Sequence, residues 1–254
     1  MHSPRRPQIH LVFGLALALG GLPALAAPDN VTRGEMALLP EYCPETQTFA
    51  AGDARTTASG ARWRSLLGPT FGALHHYCWG LISVQRARAP GIGSLTRRGL
   101  LMSSINDFTY VLQNATPDFL LLPEIYLRIG ETQTELQAYA EAMEAFTLSR
   151  RAKPDYWPAY VRAATVLVRI GKTTDAIGLL EVGLTRMPKE PALIEAYKRL
   201  GGDYAKFIKT LPPERDAGGG SAKAPASTAG AESPAQGSPG SASKPAEPAA
   251  SAAQ

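Results

Sequence analysis

The chain has 254 residues, 44% of them hydrophobic and 19% charged, which is enough apolar material for one sizeable core and excludes a chain that is disordered throughout. Its formal charge of +4 falls to +2 once Arg5 and Arg6 at the N-terminus are set aside, so the basic excess is poor support for nucleic-acid binding, which needs a clustered basic face.

Residues 1–26 have the form of a secretory signal peptide. Arg5 and Arg6 give a positive start, Leu11 to Leu22 is apolar, and Ala24 and Ala26 supply small residues two apart at a cleavage point. The apolar run is shorter than the ~20 residues that span a bilayer. No cysteine follows it to carry a lipid, and Pro7 spoils a twin-arginine match. The expected mature chain is periplasmic or secreted, with no stable membrane span after cleavage.

Residues 27–66 read as an N-terminal extension tied to the helices after it. A short helix starting near Val31 should end at Pro40 and Pro44, which flank Cys43. The next stretch, Leu74-His-His-Tyr-Cys-Trp-Gly-Leu81, holds two of the four histidines and one of the two cysteines. Wound as a helix, it puts Leu74, Tyr77, Cys78, Leu81 and Ile82 on one apolar arc. His75 falls on the border beside Trp79. His76 falls on the opposite side next to Ser83, where it is expected to be solvated.

An exported chain with two cysteines suggests one disulfide, Cys43–Cys78, closing a loop of about 35 residues worth ~3–4 kcal/mol in the chain-entropy model. Free or metal-bound thiols are the alternative. A metal site on Cys43, His75 and Cys78 would lack an obvious fourth ligand, and neither CxxC nor HxxxH is present. No cofactor or metal is expected, and no catalytic residues, because nothing resembles a nucleophile motif, a GxSxG, an HExxH or a paired-carboxylate arrangement.

Residues 86–94 look like an inserted loop, broken by Pro90, Gly91 and Gly93. Gly91-Ile-Gly93 has no preceding strand and no third glycine, so it is not a phosphate cradle. Arg86, Arg88, Arg97 and Arg98 flank the loop as a solvated rim or as a contact for an acidic partner or glycan.

Further on, a period of 34 residues emerges. Tyr126 aligns with Tyr160, Ala142 with Ala176, Phe146 with Leu180 and Pro154 with Pro188. Gly130 and its counterpart Ala164 are small where helices must approach closely, Phe146 and Leu180 fill the space between units, and each proline ends a unit. A looser copy lies upstream, with Trp79-Gly80 in place of Ile129-Gly130 and Ser104-x3-Phe108 in place of Ala142-x3-Phe146, spread by twelve inserted residues.

The aromatic, Gly, Ala-x3-Phe and Pro positions resemble the tetratricopeptide repeat (TPR). Gln133 and Leu167 depart from it where a second aromatic is usual, and Gln137 stands where the later copy has the turn glycine Gly171. The resemblance implies an all-α fold, an α-solenoid of antiparallel helix pairs. Residues 67–122 would form the degenerate leading unit, 123–156 and 157–190 two clear units, and 191–212 a capping helix. Residues 213–254 are rich in Ala, Pro, Ser and Gly, contain no aromatic and are expected to be disordered.

First helices of such repeats line a groove that takes a peptide or helix of another protein. Carried to matching positions, the groove would present Glu124, Leu127, Glu131 and Glu135, then Val161, Thr165 and Arg169. The expected function is a non-catalytic periplasmic adaptor or scaffold for an envelope assembly. The alternative is a metal- or thiol-handling envelope protein using Cys43, His75 and Cys78. A third reading, a glycan-associated protein, would use Tyr156 and Trp157 as an aromatic platform.

Overall fold

In the computed structural model, residues 30–47, 49 and 57–212 are described. The expected leader (1–26) and the expected disordered tail (213–254) lie outside the described residues. Among those described there are ten α-helices and no strand.

The N-terminal part is short helix and turn. Helix α1 (Arg33–Ala37) begins in a capping box, in which the Thr32 hydroxyl accepts from the Glu35 amide and the Glu35 carboxylate accepts from the Thr32 amide. Pro40 follows, then a 3-10 turn, Cys43–Glu45. Helix α2 (Ala58–Leu67) is capped by Thr57, and a second 3-10 turn (Pro69–Ala73) leads into α3 (Leu74–Ala87).

From α3 onward, consecutive helices pack as pairs: α3 with α4 (Ser94–Gln113), α5 (Leu122–Glu135) with α6 (Tyr139–Ala152), and α7 (Trp157–Arg169) with α8 (Thr173–Arg186). Helix α9 (Pro191–Arg199) packs on α8 and α7, and α10 (Tyr204–Ile208) on α9. The first helices of successive pairs also touch, α5 with α7 and α7 with α9.

The period read from the sequence reappears in the helix boundaries. α6 and α8 start and end 34 residues apart, and α5 and α7 end 34 residues apart. The turns between paired helices match too. Gln137 has φ +62° and Gly171 φ +79°, both left-handed. Ala138 N–H donates to Gln133 O at 2.9 Å and Lys172 N–H to Leu167 O at 2.8 Å, which closes the helix end in the same way each time. α5, α7 and α9 each carry Pro in the first turn, where its missing N–H costs nothing.

Inside the pairs, one contact is repeated. A Cβ on Gly130 would lie 2.5 Å from the Phe146 ring, and a Cβ on Gly80 would overlap the Phe108 ring in the same way. Each glycine lets an aromatic ring lie directly on the backbone of the facing helix. Phe108 therefore occupies on Gly80 the place that Phe146 occupies on Gly130, despite the extra residues between them. Phe108 and Phe146 are both fully buried.

Those extra residues are not mainly a loop, as the sequence suggested. The connection between α3 and α4 is only residues 88–93. Most of the added length is the first two turns of α4, residues 94–99, which are exposed on every side. Pro90, Gly91 and Gly93 do break the chain, but Ser94 to Arg98 contains no further breaker and the helix resumes at once. The expected capping helix also differs. It stops at Leu200, turns through Gly201 at φ +89°, and resumes as α10, capped by Asp203.

Candidate interaction groove

Helices α3, α5, α7 and α9 together border three clefts. The first, about 370 Å³, is lined by Leu38–Pro40, by Leu81, Val84, Gln85 and Arg88 of the α3 region, and by Glu124, Arg128, Glu131 and Thr132 of α5. The second, about 200 Å³, lies between α5 and α7 and is lined by Arg88, Glu131, Thr134, Glu135, Phe146, Arg162, Thr165, Val166 and Arg169. The third, about 180 Å³, lies between α7 and α9, with Val161, Ala164, Thr165, Val168 and Leu180 facing Ala196, Arg199 and Leu200.

Six of the seven residues singled out from the sequence line these clefts: Glu124, Glu131, Glu135, Val161, Thr165 and Arg169. Leu127 does not. It is 5% exposed and packs in the core with Ala142, Phe146, Ala159, Ala163 and Val166. On the α5 wheel it lies roughly 40–80° from the three glutamates, toward α7, and its apolar side chain is buried there.

Three cleft residues carry no mark in the repeat pattern. Arg128 of α5 bridges Glu124 and Glu131, each at 3.2 Å. Arg162 of α7 holds Glu131 at 2.7 Å from the other side. Glu135 is shared by Arg88, whose Nε donates at 2.9 Å, and by Arg97 of α4 at 3.3 Å. Arg128 lies one turn beyond Glu124 on the same face, so an i,i+4 charge scan of α5 would find it. Arg88 and Arg162 have no such local signal, because their partners are on other helices. Among the described residues Arg169 has no ion-pair partner.

The chain itself forms one wall of the first cleft, through Leu38, Leu39 and Pro40. Cys43 and Cys78 sulfurs are 2.05 Å apart, with their Cα atoms separated by 5.8 Å, so the N-terminal segment is fastened to α3. Tyr42 packs against Trp63 and Tyr77, and Arg86 Nε donates to Glu35 at 2.6 Å. The hydrogen bond from Arg86 holds the Glu35 carboxyl down to about 2. Tyr77 OH donates to Glu124 at 2.8 Å, and burial pushes that hydroxyl well above its usual range, which keeps it a donor.

His75 and His76 are placed differently from the sequence reading. His75 meets Trp79 edge to face at 4.9 Å, and its Nδ1 lies 3.0 Å from the Gly72 carbonyl. His76, expected in solvent, is 6% exposed. Its Nδ1 lies 2.8 Å from the Asp107 carboxylate, and the Tyr110 ring covers it at 3.9 Å. The wheel assigned a polar side to α3, but α4 packs over that side and supplies a polar partner. Burial raises Asp107 to about 7 and lowers His76, so the pair resists carrying two separated charges.

Neither histidine joins the cysteines. A paired cysteine offers no thiolate for a metal or for nucleophilic attack. Among the described residues no cluster of three or more His, Cys, Asp or Glu is arranged to hold an ion. No described helix is long and apolar enough to cross a membrane. Trp157 is 39% exposed, whereas Tyr156 is half-buried and packs in the same core as Leu127, so the two do not form one open aromatic platform.

Neither a protein-family model nor a curated protein matches the sequence.

Proposed function

We propose that this chain is a non-catalytic interaction module, a TPR-type solenoid of helix pairs. Its groove along α3, α5, α7 and α9 would hold a segment of another protein within an assembly of the cell envelope. The observation that carries this reading is the run of clefts between successive first helices, lined by the charged and small polar residues that the repeat period places there. The 34-residue offset of helix ends and the repeated Gly–Phe contact support the repeat itself. The paired cysteines suit an oxidising compartment, in line with the leader read from the sequence.

Affinity capture from envelope fractions tests it. The wild-type chain and the Val182→Glu variant, altered at an exposed position of α8 outside the clefts, should retain the same partner. Arg169→Glu should lose it. If nothing is retained, or if Arg169→Glu retains it equally, the groove is not the binding surface.

A further inference from the structure

We infer that the open part of the groove, the cleft between α5 and α7, takes an extended acidic peptide segment of its partner. This rests on the groove reading and names the chemistry that fills it. Arg88, Arg162 and Arg169 line this cleft against Glu131 and Glu135, and Arg97 adjoins it. Both carboxylates are already doubly engaged, Glu131 by Arg128 and Arg162, and Glu135 by Arg88 and Arg97. Arg88, Arg97 and Arg162 remain about half exposed, at 53%, 48% and 57%. The surface therefore lacks negative charge, not positive.

Two further features favour a peptide over a bare anion. Thr134 and Thr165 each donate their hydroxyl proton to a helix carbonyl, of Gly130 at 2.7 Å and Val161 at 2.9 Å. Their oxygens are left as acceptors for the N–H groups of an extended backbone. The chain also shows the pattern on itself. The segment that walls the first cleft carries Glu35, Glu41 and Glu45 against Arg33, and it docks through Glu35 on Arg86. An acidic partner segment would continue along α5 and α7 by the same chemistry.

The test uses the oxidised full-length chain and three labelled peptides: a glutamate-rich sequence, its glutamine counterpart and its lysine counterpart. Fluorescence anisotropy should show the glutamate peptide binding at least ~10-fold more tightly than the glutamine one at low salt, with the gap closing as salt rises. Arg162→Gln with Arg169→Gln should abolish the gap. These changes leave no carboxylate stranded, since Glu131 keeps Arg128 and Arg169 has no described partner. Arg151→Gln, at an exposed α6 position outside the clefts, should leave it intact. Equal binding of the glutamate and glutamine peptides, or a gap that survives the double variant, overturns the inference. Tripolyphosphate binding as tightly as the glutamate peptide overturns the peptide assignment. A lysine peptide that binds best, and is sensitive to the double variant, overturns the acidic class and leaves the groove reading standing. No binding by any peptide, with no groove-dependent capture from envelope fractions, removes both.

Discussion

Gln137 stands at φ +62°, a conformation that costs a residue with a Cβ about 1–2 kcal/mol, while its counterpart Gly171 adopts φ +79° without that cost. Gln137→Gly should therefore raise stability by about 0.5–1 kcal/mol, the relief of strain being partly offset by the freer unfolded chain. Gly171→Ala should lower it by about 1 kcal/mol. Denaturant unfolding measures both, and a Gln137→Gly variant no more stable than the wild type would show that the turns are not equivalent. A second residue-scale test uses the ring on the glycine. Gly130→Ala places a Cβ 2.5 Å from Phe146 and should cost ~1–3 kcal/mol. The next pair solves the same crossing with Ala164 and Leu180, both buried. Gly130→Ala combined with Phe146→Leu should recover part of that loss, as a coupling of ~1 kcal/mol or more in a double-mutant cycle. This equivalence was legible in the sequence because a 34-residue offset aligns residues of matching size. Leu127 and His76 were not legible in the same way. Whether a helix face is open or covered depends on the neighbouring helix, and a wheel sees one helix at a time.

At the scale of elements, the segment from Thr32 to Thr46 behaves as a strap across α3. The sequence signalled its anchor, the cysteine pair, and its helix stops, Pro40 and Pro44. It did not signal that the strap lines the first cleft, which depends on Cys43 meeting a partner 35 residues further along the chain. Reducing the bridge should lower unfolding stability by ~3–4 kcal/mol for a loop of this length and speed proteolytic cleavage around Pro40 relative to α5 and α6. Cleavage at unchanged rates in reductant would show that Tyr42 and Glu35 suffice to hold the strap. Acid acts on the other anchor. The Arg86 hydrogen bond depresses Glu35 from 4.5 to about 2, so its contribution is fully present above about 4.5 and is lost as the pH falls toward 2. Thermal unfolding of the wild type should weaken across that window more steeply than that of Glu35→Gln, which begins less stable and lacks this limb. Parallel pH curves for the two proteins would assign the acid sensitivity elsewhere. The overhanging first turns of α4 belong to this scale as well. Pro90, Gly91 and Gly93 point to a loop that absorbs the inserted residues, yet helix propensity from Ser94 onward carries most of them into the helix.

Across the described residues, stability should not be even. One core cluster gathers the strap, α2, α3, α4 and one face of α5, with Ala145 of α6, around Tyr77, Phe108 and Phe71, and the disulfide lies within it. Smaller clusters hold the later pairs, and the cluster of α7 to α9 depends on Leu193, Ala196 and Tyr197 of α9 to cover α7 and α8. In stacked helix pairs each unit is stabilised mainly by its neighbours, so the last ones open first. Native-state hydrogen exchange should find the slowest amides in α3 and α4, intermediate ones in α5 and α6, and the fastest in α8 to α10. Ending the chain after Glu190 would uncover Leu180, Leu184 and the Tyr160 ring, all now nearly fully buried. Exchange in α7 and α8 should then rise sharply while α3 and α4 change little. Uniform loss of protection over all helices would instead mean that the pairs unfold as one cooperative block. In the graded case, a partner segment lying across α5 and α7 would tie the less stable pair to the disulfide-fastened end. Bound peptide should slow exchange in α7 more than in α5.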